Sequence, residues 1–137
     1  MTAAPLTAHL TTTNAPVPRG PYVHARLHDN LVYVTAQIGR DPVTGDFVPG
    51  GFKAELNQAI TNLEQILTEL GSSLPQVIKA EVQFVDENDL DDMNTIYAAR
   101  FSEPYPARTS YGVAFLWKGA AVQISCTATV APQDVTS

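Results

Sequence analysis

The chain has 137 residues, of which 45% are hydrophobic and 16% charged, and its formal net charge is −6 at pH 7. This length and composition are typical of one globular domain with an ordinary apolar core, and the acidic balance without a Lys/Arg cluster argues against nucleic acid as a partner. The single cysteine rules out an intramolecular disulfide. We expect a cytoplasmic protein that contacts no membrane, because no apolar run nears the roughly 20 residues of a membrane span and no signal-peptide pattern opens the chain.

Residues 21–38 are predicted to form a β-hairpin. Apolar and polar residues alternate on both sides of Asp29-Asn30, a dipeptide suited to a tight turn. Across residues 52–70 the apolar spacing changes to three and four, and Gly71 follows as a helix-ending residue. This segment is the clearest helix of the chain, with one apolar face and one polar face.

The middle of the chain repeats both patterns. Residues 76–86 alternate as a strand, and residues 89–101 have the spacing of a second helix. The side chains predicted to face the core are Ile78, Ala80, Val82 and Phe84 in the strand, and Leu90, Met93, Tyr97 and Phe101 in the helix.

The last two strands complete a predicted α+β fold. Residues 108–117 and 121–131 are expected to pair as a second hairpin through Lys118-Gly119. With a short edge strand around residues 6–13, the order is βββ-α-β-α-ββ. Each helix has a single apolar face, so both are expected to pack on one face of a mixed sheet in a two-layer sandwich.

The sheet face away from the helices is predicted to be polar. Its side chains are expected to come from Tyr33, Thr35, Gln37, Lys79, Glu81, Gln83, Gln123, Ser125 and Thr127. Such a face either stays in contact with water or meets its copy in a closed oligomer, and the residues alone leave both possibilities open. Cys126 shares strand parity with Val122 and Ile124, so it is predicted to lie in the core.

Five segments stand in a fixed order along the chain. They are "GPYVHA" at 20–25, "VYVTAQIGRDPVTGDFV" at 32–48, "QAITNLEQILTELGSS" at 58–73, "VIKAEVQFVDENDLDDMNTIYAARF" at 77–101 and "YPARTSYGV" at 105–113. With these segments in this order, the chain resembles the RidA/YjgF family of reactive-intermediate deaminases. The resemblance covers about residues 14–131, and we expect residues 1–137 to form a single RidA-like domain.

The resemblance implies a chorismate-mutase-like fold and a homotrimer, with sheets facing a central barrel and a site in each cleft between subunits. It also implies hydrolysis of carboxylate-bearing enamine and imine intermediates, such as 2-aminoacrylate, to a 2-keto acid and ammonia. By the same resemblance, no cofactor or metal is used.

The resemblance also implies roles for three residues. Arg108, in "PAR", occupies the position of the carboxylate-binding arginine. A planar guanidinium can hold a carboxylate through two parallel hydrogen bonds, whereas the alternative is a structural ion pair with an Asp or Glu of the chain. Tyr22 in "GPY" would line the substrate pocket, and Thr35 in "TAQ" would offer it a hydroxyl, although neither residue type needs a ligand on a strand.

Two positions depart from the family pattern. Ser110 replaces the usual cysteine two residues after Arg108, and Gln123 replaces the glutamate that is expected opposite the arginine. A glutamate can take a proton from the water that attacks the C=N carbon, whereas a glutamine can only orient that water. The predicted catalytic set is Arg108, Gln123 and Ser110, with the water held near Gln123 and the backbone of Ser110.

His24 is an additional candidate for the substrate pocket. It follows Tyr22 by two residues, so strand alternation places both on one face, and a histidine could replace the missing acid/base group. A structural histidine is the alternative. Two functional hypotheses follow: an imine deaminase, specialised for one pathway intermediate, or a non-catalytic trimer that binds small carboxylates or a partner protein.

Overall fold

The computed structural model describes residues 8–131. Within them, the elements follow the predicted order βββ-α-β-α-ββ. They are β1 (Ala8–Leu10), β2 (Ala25–His28), β3 (Leu31–Gln37), α1 (Gly51–Glu69), β4 (Val77–Phe84), α2 (Leu90–Arg100), β5 (Ala107–Gly112) and β6 (Val122–Thr129). The predicted edge strand around 6–13 is present as β1, and its residues before Ala8 lie outside the described part.

The strands form one mixed sheet, and both helices cover one of its faces. The strand order is β1-β2-β3-β6-β4-β5. Neighbours are antiparallel except for β4 and β5, which run parallel. The predicted hairpin is β2–β3, with Asp29 in the left-handed region of its turn (φ 55°). The chain is therefore a two-layer α+β sandwich, as predicted.

The predicted second hairpin is wrong. β5 pairs only with β4, and β6 lies between β3 and β4, so the two last strands are not neighbours. The cause is α2, which connects β4 to β5. A strand–helix–strand crossover returns the chain parallel to its starting strand, so β5 takes the outer edge of β4 and leaves the inner edge to β6. Lys118-Gly119 lies in the connection, as a short 3₁₀ turn.

Helix α1 supplies most of the core from the helical layer. Its apolar stripe of Leu56, Ile60, Leu63 and Leu67 is fully buried. The helix ends as predicted: Gly71 has a φ of 77°, and the N–H groups of Gly71 and Ser72 donate to Thr68 and Leu67. This is a Schellman motif, which satisfies carbonyls that the helix end leaves without partners.

Irregularities in two strands change which side chains are buried. The pairing shifts register between Val77 and Lys79, so Val77 is buried and Ile78, predicted to be in the core, is 48% exposed. A second shift between Val34 and Gln37 buries Gln37, which alternation had placed on the polar face. An extra residue in one strand reverses the faces of its neighbours. Leu90 is also exposed, since it is the first residue of α2.

The sheet face away from the helices carries polar side chains joined across strands. Lys79 Nζ donates to Thr109 Oγ1 (2.7 Å), and Gln123 Nε2 donates to Gln83 Oε1 (2.9 Å). Gln83 Nε2 in turn donates to Tyr111 Oη (3.0 Å). We call this surface the polar face. None of the helices among residues 8–131 is long and apolar enough to cross a membrane.

Candidate functional site

Arg108 points toward the helical layer from the edge strand β5. Its guanidinium lies 4.7 Å from the ring centre of Tyr97 on α2, and its Nη2 donates to Asn94 Oδ1 at 2.6 Å. The side chain is half-buried, and no ion pair with a carboxylate is formed within residues 8–131. The structural ion pair that the sequence left open is thus absent from the described part of the chain.

The ring beneath Arg108 is itself held rigidly. Tyr97 stacks on Phe101 with ring centres 4.3 Å apart, and its hydroxyl is buried without a hydrogen-bond partner. Burial raises the pKa of Tyr97 to about 12, although the charge of Arg108 acts in the opposite direction. The phenol is therefore neutral at physiological pH, and the ring offers its π face to the cation.

A shallow pocket opens beside Arg108. It is lined by Asn94, Tyr97, Ala98, Tyr105, Pro106 and Arg108. Because a single amide oxygen accepts from the guanidinium, further N–H groups are available to an incoming anion. The arrangement is suited to binding a carboxylate and holding its orientation.

Ser110 lies two residues further along β5 and points to the same side as Arg108. It pairs with Val82, as Arg108 pairs with Ala80, and both of those partners are buried under the helices. Its Oγ is buried without a hydrogen-bond partner. Ser110 contributes to a different depression from Arg108, together with residues around Phe84 and Glu87.

Tyr22, His24 and Gln123 come together in a second cavity. Its volume is about 170 Å³, and its wall consists of Pro16, Val17, Pro18, Arg19, Tyr22, His24, Ala36, Gln37, Ile38, Arg40, Trp117 and Gln123. We call it the Tyr22–Gln123 cavity. Thr35 lies next to it, in the bulged part of β3, where its N–H donates to His24 O at 2.9 Å.

His24 is a structural part of this wall. It is 1% exposed, its Nδ1 accepts from the Thr12 N–H (3.0 Å), and its Nε2 lies 2.7 Å from Pro16 O. A nitrogen that accepts a backbone N–H carries no proton, so Nε2 carries the hydrogen that Pro16 O accepts. Both ring nitrogens are occupied, which favours the structural alternative over the acid/base role.

The two groups of candidate residues lie on opposite faces of the sheet. Arg108 and Ser110 point toward the helices, whereas Gln123 pairs with Gln83 on the polar face. One protomer therefore does not bring Arg108 and Gln123 to the same small molecule. Among residues 8–131, no three His, Cys, Asp or Glu side chains cluster as metal ligands.

Two residues that line the Tyr22–Gln123 cavity, Arg40 and Trp117, were not predicted as site residues. Arg40 follows the predicted hairpin of residues 21–38, and Trp117 ends the first strand of the predicted second hairpin. Arg40 stands within the family-like segment 32–48, but the resemblance assigned it no role, and its contact with Trp117 is visible only in the folded chain, where the guanidinium lies 5.3 Å from the indole ring centre.

Comparisons with known proteins match most of the chain. The family model "Endoribonuclease L-PSP" matches residues 12–130. The 2-iminobutanoate/2-iminopropanoate deaminase of Bos taurus is 40% identical over 128 residues, covering 93% of each chain. The human protein of the same name is 38% identical over 128 residues, with the same coverage of both chains.

Solved structures give the same result for the fold. RidA from the Antarctic bacterium Psychrobacter matches with a TM-score of 0.87 and 36% identity, covering 90% of this chain and 99% of that one. E. coli TdcF, crystallised with bound serine, matches with a TM-score of 0.83 and 28% identity, covering 89% and 98%.

Proposed function

The chain belongs to the RidA/YjgF family, and on this premise we propose that it hydrolyses carboxylate-bearing enamines and imines of the 2-aminoacrylate type to 2-keto acids and ammonia. The two mammalian relatives are named as deaminases of 2-iminobutanoate and 2-iminopropanoate, which are small imines of this class. The cytoplasm is the compartment in which we expect this activity.

Arg108 is the observation that carries the proposal. Its guanidinium is half-buried, fixed by the Tyr97 ring and by Asn94, and has no carboxylate partner within residues 8–131. A cation pre-positioned in this way binds a carboxylate at little cost in side-chain ordering. The serine bound to E. coli TdcF also carries an α-carboxylate, which agrees with such an anchor.

We further propose that the site is completed between subunits of a homotrimer. Arg108 and Gln123 lie on opposite faces of the sheet, so the Tyr22–Gln123 cavity of one protomer has to face the Arg108 pocket of another to enclose one substrate. The polar face, with its cross-strand hydrogen bonds, would line the centre of the trimer. Sedimentation that gives a stable, folded monomer at micromolar concentration would refute this assembly.

An enamine first tautomerises to the imine, as a proton leaves nitrogen and another binds the terminal carbon of the C=C bond. From the imine onward, the reaction needs water and two proton transfers. The water oxygen bonds to the C=N carbon, the π electrons move to nitrogen, and one water proton reaches that nitrogen. The C–N bond of the resulting carbinolamine then breaks, its hydroxyl proton passes to the departing nitrogen, and the products are the 2-keto acid and ammonia. Gln123 can orient the water but takes no proton from it, so the protons travel through water or the substrate itself.

We do not extend the name of the family model to RNA cleavage by this chain. Its net charge is −6, and an acidic protein repels a polyanion unless it presents an extended basic surface. The 2-iminobutanoate/2-iminopropanoate deaminases, which cover nearly the whole chain, are the relatives from which we take the reaction.

The test is to generate an amino-acid-derived imine in situ and to follow its decay. We expect wild type to accelerate hydrolysis and Arg108→Ala to lose most of the acceleration, about a hundredfold in kcat/KM for a charge-assisted anchor. Lys53→Met, which removes a cation from the outer surface of α1, is the matched control and should retain wild-type activity. Equal decay with wild type and Arg108→Ala would refute the deaminase.

The alternative function is a binding module without turnover. The observation that favours it is Gln123, which replaces a proton-accepting glutamate. Calorimetry that shows 2-keto acid binding by wild type, together with no acceleration of imine hydrolysis, would select this alternative.

A further inference from the structure

Arg40 is a buried cation at one end of the Tyr22–Gln123 cavity. Its side chain is 5% exposed, Nε donates to Gly45 O at 3.0 Å and Nη1 to Val17 O at 3.2 Å. Nη2 is buried and has no hydrogen-bond partner. The guanidinium is therefore anchored on two sides and has one free nitrogen.

Two contacts with α1 fix the backbone around Arg40. Asn62 of α1, which is fully buried, donates to the carbonyls of Ile38 and Arg40. Gly39 allows the chain to pass directly over α1, because a Cβ there would lie 2.4 Å from Glu55 Cα. The position of Arg40 is thus built into the contact between the end of β3 and α1.

No carboxylate neutralises this cation within the described residues 8–131. The ion pairs found there are Lys53–Asp92 and Arg100–Glu64, with a third contact, His28–Asp29, in which the histidine is charged only when protonated. A buried charge without a counter-ion is strongly unfavourable, so buried arginines are nearly always paired. The chain has 14 acidic residues and a net charge of −6, yet none of the described acidic side chains pairs with this buried arginine.

Other cations surround the same point. The Nη2 atoms of Arg19 and Arg40 both lie within 4 Å of the position that a Cβ on Gly45 would occupy. Lys118 Nζ lies 5.6 Å from the ring centre of Trp117. Burial, and then repulsion by Arg19, lowers the pKa of Arg40. Asp46 shares the adjoining outer depression with Arg19 and Lys118 but forms no ion pair with them.

We propose that Arg40, assisted by Arg19, binds a second carboxylate of the substrate, so that the enzyme acts on imines formed from acidic amino acids. The inference rests on the proposed function. Arg40 and Gln123 line one cavity of about 170 Å³, so an acid group held at Arg40 would extend from a reacting carbon held near Gln123. Arg108 of a neighbouring subunit would hold the first carboxylate.

The simpler alternative is that Arg40 only fastens its loop. Its bonds to Gly45 and Val17 and its stacking on Trp117 would then be its whole role, and it would not distinguish one ligand from another. An ion pair with a neighbouring subunit would have the same consequence, because Nη2 would already be satisfied. Ligand selectivity separates both cases from the proposal.

The test compares two keto acids by calorimetry, without turnover. 2-Oxoglutarate and 2-oxopentanoate have the same carbon skeleton, and only the former has a second carboxylate. We expect wild type to bind 2-oxoglutarate at least about tenfold more tightly, as one charge-assisted interaction predicts. Arg40→Met should abolish this preference and leave 2-oxopentanoate binding within about twofold, whereas Lys53→Met should leave the preference intact.

The outcomes distinguish failure of this inference from failure of the proposed function. If both keto acids bind equally to wild type, the second-carboxylate site is refuted while the deaminase proposal stands. If neither binds, or if Arg108→Ala binds as well as wild type, the anchor of the proposed function fails too. Should Arg40→Met not fold, Arg40→Gln, which keeps a donor for Gly45 O, replaces it.

Inorganic phosphate is the probe for another anion. Two results together would overturn the carboxylate assignment in favour of a phosphoryl group. Phosphate would displace 2-oxoglutarate but not 2-oxopentanoate from wild type, and its binding free energy would exceed the difference between the binding free energies of the two keto acids. We expect no displacement at equal concentrations.

Discussion

The two arginines Arg108 and Arg40 are held in contrasting ways. Both stack on an aromatic ring, Tyr97 or Trp117, and neither has a carboxylate partner within residues 8–131. Arg108 stands half-exposed on an edge strand with one hydrogen bond to a side chain, whereas Arg40 is 5% exposed with two bonds to backbone carbonyls.

From this difference in burial we expect different roles for the two cations. Arg108 is only half-buried and lies beside an open pocket, so we expect it to accept small carboxylates of different kinds. Arg40 is 5% exposed and lines the Tyr22–Gln123 cavity, so an anion in that cavity would meet a cation in a poorly solvated site, where charge interactions are stronger. We therefore expect general affinity from Arg108 and selectivity from Arg40.

The largest effect is expected at His24, in the wall of the Tyr22–Gln123 cavity. His24→Leu leaves the Thr12 N–H and the Pro16 carbonyl buried without their partner, and we expect a loss of about 3 kcal/mol in the free energy of unfolding. Urea denaturation measures it. His28→Leu, which removes an exposed histidine of β2 together with its 3.5 Å contact to Asp29, is the control and should change stability by less than about 1 kcal/mol. Equal losses for the two variants would contradict a structural His24.

Gln123→Glu tests whether the Tyr22–Gln123 cavity holds the attacking water, because it adds a proton-accepting group to the wall of that cavity. Gln123 now donates to Gln83, which donates to Tyr111. If the Gln83 amide turns over, it can donate to a glutamate and accept from the tyrosine hydroxyl. A general base contributes roughly 10²–10⁴-fold, so we expect kcat for imine hydrolysis to rise at least about tenfold.

The matched control is Gln65→Glu on the exposed side of α1. It adds the same charge far from the cavity and should leave kcat unchanged. An unchanged kcat for Gln123→Glu would mean that the water does not lie near this residue.

Alkaline pH tests the neutral groups beneath Arg108. Burial raises the pKa of Cys126 from 9.0 to about 12, and that of Tyr97 also to about 12. A pKa raised on folding stabilises the native state below the unfolded-state value, and this stabilisation is lost as pH rises through the folded-state value. We expect the free energy of unfolding to fall by on the order of 2 kcal/mol between pH 9 and about pH 11.

Cys126→Ala provides the comparison for this titration. Removing the thiol should flatten the decline between pH 9 and about pH 10, where the tyrosine of the unfolded chain is still mostly protonated. The same slope in both proteins would show that Cys126 is not the group responsible.

The smallest effect is expected for Tyr97→Phe. The ring that supports Arg108 is retained and only a buried hydroxyl without a partner is lost. We expect a change in stability within about 0.5 kcal/mol and keto-acid binding within about twofold, because an unsatisfied buried polar group contributes nothing favourable.

Tyr97→Leu supplies the contrast, since it removes the ring face itself. Binding should weaken about two- to fivefold through the lost cation–π interaction. Weaker binding by Tyr97→Phe than by Tyr97→Leu would show that the hydroxyl, not the ring, positions Arg108.

Elements with a strong local pattern were predictable from the sequence. The periodicity of α1 and the alternation of β2–β3 around Asp29-Asn30 both predict the observed elements. The strand that pairs with β5 was not predictable in this way. Adjacency in sequence suggests a hairpin of β5 with β6, whereas the α2 crossover places β5 beside β4. Register shifts in β3 and β4 were also invisible, so Gln37 and Ile78 were assigned to the wrong faces.

The candidate site residues, too, were predictable from the sequence only in part. Motifs and resemblance pointed to Arg108, Tyr22 and Gln123, and the structure brings Tyr22 and Gln123 to one cavity but puts Arg108 on the opposite face of the sheet. His24 was noticed, yet its two buried hydrogen bonds depend on residues 12–16, a segment whose position no strand pattern predicts.

The family, the element order and the candidacy of Arg108 as an anchor all follow from the sequence, because they depend on local periodicity and short motifs. Only the tertiary structure decided that Arg40 is a buried cation facing a cavity with Gln123. The reason is physical: burial and the lack of a counter-ion are properties of all the neighbours that folding assembles, here from β3, α1 and the Trp117 turn.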